Sequence, residues 1–150
     1  MLRDIITAKK KSILIALLLA AVLAGLSYFI LRSAIDRGKT LWELSLSQMN
    51  FTGDRAEARI ADRDGRVWIA LELASGDRDV KRPAYIHIGK CGGPSRTYAK
   101  YRLTDMTDGN SETLIDISPD DFAKDLPLSI QVSQSFDDVY LGAACGTIER

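Results

Sequence analysis

The chain has 150 residues, yet it contains one histidine, two cysteines and no net charge. Each scarcity excludes something. A single imidazole cannot build a closed nitrogen-donor metal site. Two cysteines with no C-x-x-C spacing leave out a thioredoxin-like redox motif. No serine sits in a G-x-S-x-G elbow, and the lone histidine has no cysteine beside it in sequence, so nucleophilic catalysis has no motif to stand on. Twenty basic residues balance twenty acidic ones, which argues against a nucleic-acid binder. Internal repeats and low-complexity tracts are missing too. At 27% charged and 46% hydrophobic the composition is that of an ordinary globular chain, long enough for one domain.

What is present is unevenly spread. Residues 1–31 carry Arg3, Lys9, Lys10 and Lys11 against Asp4, and the remainder is net acidic by the same amount. Ser12–Leu31 contains no charged residue. A helix of about 20 residues spans roughly 30 Å of hydrocarbon, so this run predicts a transmembrane signal anchor over 12–31. It follows a basic N-terminus over 1–11 and precedes a polar linker over 32–40. The rival readings are a cleaved secretory signal, with Val22-Leu23-Ala24 before the cut, and a buried core helix. The run is longer than the usual h-region, and no charge or period breaks it. Lys9–Lys11 abut the membrane directly, which keeps the N-terminus cytoplasmic and sends residues 41–150 to a periplasmic or extracellular location.

After the linker the hydrophobic period becomes two. Trp42, Leu44 and Leu46 alternate with polar residues, as do Ala56, Ala58 and Ile60. Val67, Ile69, Leu71 and Leu73 form a third run, Ala84, Ile86 and Ile88 a fourth, and Leu128, Ile130 and Val132 a fifth. Each pattern is that of a half-buried strand. Asp64-Gly65 and Asp108-Gly109 predict tight hairpin turns. Ser118-Pro119-Asp120-Asp121-Phe122 predicts one short helix, capped by Ser118 and ended by Pro127. Seven or eight short strands imply an all-β antiparallel sandwich preceded by the one transmembrane α-helix. Cys91 and Cys145 both fall on the exported side, where a disulfide persists. Bridged, they close a loop worth roughly 4 kcal/mol by the chain-entropy argument; two free buried thiols are the alternative.

Four segments resemble a known family. Pro83–Cys91 (PAYIHIGKC), Asp108–Thr113 (DGNSET), Leu128–Ser135 (LSIQVSQS) with Asp137-Asp138, and Ala143–Ile148 (AACGTI) are similar, in this order, to motifs of bacterial CHRD domains. Those domains are similar in turn to Cu,Zn superoxide dismutase, a Greek-key β-sandwich with one intrachain disulfide. The resemblance covers about 41–149 and implies that fold, with Cys91 and Cys145 bridged. It places copper ligands at Tyr85, His87 and Ser133, of which His87 alone keeps an imidazole. The anion-guiding arginine of the enzyme falls at Gly142. Superoxide dismutase activity is therefore not expected, and no cofactor is.

Two further patterns concern binding. Residues 78–102 hold Arg78, Lys81, Arg82, Lys90, Arg96, Lys100 and Arg102 against Asp79. Residues 104–138 hold nine carboxylates against Lys124. The two segments either neutralise each other or leave a basic face for an anionic envelope component or membrane protein. Asp105, Asp108, Asn110 and Glu112 do not have EF-hand spacing and read as a solvated turn. The expectation is a membrane-anchored, non-catalytic extracytoplasmic binding or envelope-assembly module, with the seven cations as its contact region. The alternative is low-affinity copper handling centred on His87, with His87 otherwise an exposed or hydrogen-bonded strand residue.

Overall fold

The structure is a computed structural model that describes residues 19–27, 38–92 and 99–150. The chain divides into a unit over 1–37 and a unit over Gly38–Arg150. In the first, residues 19–27 are helical. Among the described residues no helix is long and apolar enough to cross a membrane. The rest of the predicted 12–31 span, the N-terminus over 1–11 and most of the linker lie outside the described residues.

The second unit is built of eight strands and one short helix. They are β1 (Lys39–Gln48), β2 (Arg55–Arg63), β3 (Arg66–Ser75), β4 (Ala84–Ile88), β5 (Ala99–Arg102), β6 (Asn110–Ile115), α1 (Pro119–Lys124), β7 (Leu128–Ser133) and β8 (Gly142–Ile148). β1 starts inside the predicted linker, because Lys39 and Thr40 already pair with Asp62 and Ala61. The strands form one antiparallel sheet in the order β5-β4-β7-β8-β1-β2-β3-β6. The sheet curls. Leu46, Ile60, Ile69 and Leu71 from one half meet Ile86, Leu128, Ile130 and Ile148 from the other in a single core.

Its two halves join at a narrow seam, where β1 meets β8 through Ser47↔Cys145 and Gln48↔Ala144. Small residues make the seam close. A Cβ added to Gly146 would stand 2.9 Å from Leu44 Cδ1 and 3.1 Å from the Ser45 carbonyl.

Period-two alternation places the core residues of β1, β2, β3 and β7 as expected from their sequence. Trp68 points to the outer face of β3, yet it is buried: the Arg63 guanidinium lies 4.4 Å above its ring. Ile88 departs from the pattern. It ends β4 just after the pairing with β5 slips between Ile86 and His87, and it is 53% exposed. Asp64 and Gly65 have φ of 55° and 76°, the left-handed pair that a two-residue hairpin between β2 and β3 requires.

The short helix closes the end of the sheet where β1 begins. Ser118 accepts the Asp121 amide hydrogen bond, Pro119 occupies the first turn, and Asp120 and Asp121 face the positive end of the dipole. Phe122 is fully buried, with ring centroids 5.9 Å from Trp42 and 6.2 Å from Tyr101. The Lys124 ammonium and the Ser118 hydroxyl hold the Asp121 carboxyl below its ordinary range. Its contribution is complete above the unfolded aspartate value of about 3.9 and is lost as pH falls through the lowered native value.

Truncating Phe122 removes the plug from this end. Phe122→Ala is expected to cost about 3–5 kcal/mol, whereas Ser118→Ala costs about 1 kcal/mol. Urea titration of the full chain in detergent, followed by tryptophan fluorescence, measures both.

Candidate functional site

Two regions carried the sequence-level expectations, and the structure treats them differently. The first is the outer face of β4, β7 and β8. Tyr85, His87, Ser129, Gln131, Ser133 and Thr147 alternate with the core residues there. This face is polar, yet His87, Ser129, Gln131 and Ser133 are buried. The Cys91 segment lies against it. Cys91 is bonded to Cys145 of β8 across a separation of 54 residues, with Cα atoms 6.0 Å apart. Its backbone N–H donates to Thr147 Oγ1 at 3.1 Å. The predicted disulfide is therefore present, and it ties the segment just past β4 to β8.

The positions that the family resemblance marks for copper lie on this face. Ser133 is fully buried, and its hydroxyl donates to the Val139 carbonyl at 2.8 Å. Tyr85 is half-buried, with its ring 6.2 Å from the His87 ring. His87 is buried, at 8% exposure, so its place outside the apolar core does not make it a surface residue. Among the described residues no group of three His, Cys, Asp or Glu side chains is placed to hold a metal ion. Gly142 leaves room that other side chains take: an added Cβ would lie 2.7 Å from Met49 Sδ and 3.3 Å from the Gln131 amide carbon.

The second region is the basic segment. Arg96 lies outside the described residues. Each of the other six cations faces a carboxylate. Arg78 meets Glu72 at 3.5 Å, Lys81 meets Asp105 at 3.7 Å, and Arg102 meets Asp105 at 3.4 Å. Lys90 meets Glu149 at 2.7 Å, and Lys100 pairs with Asp125. These are wholly or partly exposed pairs, worth little to stability. Arg82 is different. Its side chain and that of Asp54 are both 7% exposed and lie 3.2 Å apart. A guanidinium buried in this way does not face a partner, so Arg82 leaves the predicted contact region.

Arg82 instead organises one end of the domain. Three connections meet there: residues 49–54 between β1 and β2, 76–83 between β3 and β4, and 134–141 between β7 and β8. From the second, Arg82 Nη2 donates to Asp54 of the first, and Nη1 donates to the Gln134 carbonyl of the third at 2.8 Å. Its backbone also pairs with Met106. Further bonds lock the same loops. The Asn50 side-chain amide donates to the Gly142 carbonyl at 2.9 Å, Thr52 Oγ1 to the Ala143 carbonyl at 3.1 Å, and Ser75 Oγ to the Gly53 carbonyl at 2.8 Å. Gly76, at φ 122°, passes so close that an added Cβ would overlap Asp54 Oδ1.

On this tied base stand exposed apolar side chains. Phe51 is 100% exposed and Tyr140 94%, with Phe136 and Leu141 about half exposed beside them. The sequence reading missed this cluster. Its signal, had it been sought, was an aromatic after Asn50 in a turn and two more aromatics in a polar, Asp-rich stretch.

Removing one member of the buried pair leaves the other charge unpaired in the interior. Arg82→Ala or Asp54→Ala is expected to cost about 3–5 kcal/mol, against less than about 1 kcal/mol for Arg102→Ala or Lys90→Ala. Thermal melts of the four full-length variants, read by circular dichroism, make the comparison.

Comparison of the chain with protein-family models, with curated proteins and with solved structures finds no match.

Proposed function

We propose that the protein is a single-pass membrane protein whose β-domain stands outside the cytoplasm as a non-catalytic binding or envelope-assembly module. The observation that carries this reading is the Cys91–Cys145 disulfide, a bond that persists in oxidising compartments. It joins with the uncharged run over 12–31 and the basic flank at Lys9–Lys11. Residues 19–27, the described part of that run, are helical and hold Leu19, Val22, Leu23 and Leu26 more than half exposed. Side chains of that kind suit a lipid surrounding better than an aqueous one.

Strand order supports the Greek-key, superoxide dismutase-like arrangement. β6 returns beside β3 instead of β5, and β7 returns beside β4 instead of β6. Two hydrogen-bonded halves then share one core, as sandwich layers do. The binding role draws on the chemistry that this scaffold displays. Its single imidazole is buried, its copper-position residues at 85 and 133 are Tyr and Ser, and Phe51 and Tyr140 are almost fully exposed.

Topology is tested by alkylation of intact cells under non-reducing conditions, followed by mass spectrometry. Cys91 and Cys145 should be protected until a reductant is added, and the full chain should resist carbonate extraction while a form lacking 1–31 does not. Free thiols in intact cells overturn the exported placement.

A further inference from the structure

Phe51 is held in an uncommon way. The turn from Met49 to Thr52 is closed by the Thr52 N–H donating to the Met49 carbonyl at 3.1 Å. Its two central residues, Asn50 and Phe51, have φ of 51° and 56°. Asparagine tolerates the left-handed region, but a bulky aromatic there is strained. The strain is not offset by burial, since the ring is fully exposed. Strain sustained at an exposed position is a reason to look for function there. The Asn50 amide holds the turn on the Gly142 carbonyl, two residues past Tyr140, so the two exposed rings rise from adjoining loops. Phe136 stands on the second of these loops, with Lys81 Nζ 5.3 Å from its ring.

Charge left over on these loops, once the ion pairs are counted, is mainly negative. Asp77, Asp79, Asp137 and Asp138 are all exposed on the loops of this end. The cations among them are already matched: Arg78 by Glu72, Lys81 by Asp105 and Arg82 by Asp54. Arg55, at the start of β2, is a further exposed cation at this end. An apolar centre within a polar, charged rim is the anatomy of a protein-binding patch, with aromatic anchors at the middle. An acidic rim repels an anionic lipid surface and attracts a basic one.

We propose that this loop end, with Phe51, Phe136, Tyr140 and Leu141 on loops that also expose Asp77, Asp79, Asp137 and Asp138, docks an apolar surface rimmed by lysine and arginine on another protein. The proposal rests on the binding role put forward above and turns its expected polarity round. The contact is acidic and aromatic, and the described cations of 78–102 pair within the domain itself.

Site-directed photocrosslinking in intact cells tests it. Benzoylphenylalanine replaces Phe51 or, separately, Tyr140 in the full chain, with Glu57, an exposed β2 residue on the sheet, as the control position. Positions 51 and 140 should crosslink to one protein, position 57 should not, and the sequenced contact peptide should be apolar with an excess of Lys and Arg. Asp137→Lys with Asp138→Lys should lower the yield at position 51 by about tenfold. Glu57→Lys should leave it unchanged. Retention of the disulfide on non-reducing gels shows that each variant is folded. Crosslinks to lipid, to a second copy of this chain, to an acidic peptide, or equally from position 57 overturn the proposal. Topology and docking fail separately: a silent position 51 in a correctly oxidised protein overturns docking alone.

Discussion

The Arg82–Asp54 pair is the contact on which one end of this domain depends. Burying two charges is costly, and an interior of apolar side chains would cost less. What the pair supplies is connection. Arg82 reaches Asp54 in one loop and the Gln134 carbonyl in another while its own backbone pairs with Met106. Apolar contacts would fill the same space without directing it, because they tolerate sliding. A guanidinium has planar, directional donors, and two of its nitrogens are spent on different loops. Even so, Arg82 Nε is buried without a hydrogen-bond partner. The arrangement is satisfied where it joins loops and left short where it does not.

The remaining charges follow a related logic. A segment as basic as 78–102 would repel itself if its cations stood together unpaired. The fold instead distributes them. Lys90 reaches Glu149 near the C-terminus, Lys100 reaches Asp125 after the helix, and Lys81 and Arg102 share Asp105. Neutralisation across the sheet leaves the far loops with carboxylates in excess, which no inspection of the linear charge runs would locate. The same pairs are mostly exposed, so they shape the surface potential more than they stabilise the fold.

What was legible in the chain followed from local physics. Alternation found five strands because one face of each packs on the core. Asp64-Gly65 and Ser118-Pro119 marked a turn and a helix start through backbone preferences that need no tertiary context. β8 was not legible in that way. Its run, Gly142–Ile148, alternates nothing, because both of its faces are covered: by the core on one side and by the Cys91 segment on the other. Family resemblance, and not periodicity, pointed to it. The burial of Arg82 was illegible for a different reason. Nothing in the sequence distinguishes it from Arg78 or Arg102, since the distinction lies in Asp54, distant in the chain and adjacent in space.

The polar outer face of β4, β7 and β8 is largely buried despite its polar side chains. An open sheet face of Ser129, Gln131 and Thr147 would be solvated, and its serines would be ordinary surface residues. Here Ser129, Gln131 and Ser133 are interior, and the disulfide ties Cys91, just past β4, to Cys145 of the same face. Interior polar groups are costly to leave unmatched, and two hydroxyls of this face are bonded: Thr147 takes the Cys91 N–H, and Ser133 gives its hydroxyl to the Val139 carbonyl. The hydroxyl at 133 is thereby committed to holding the loop that carries Phe136 and Tyr140.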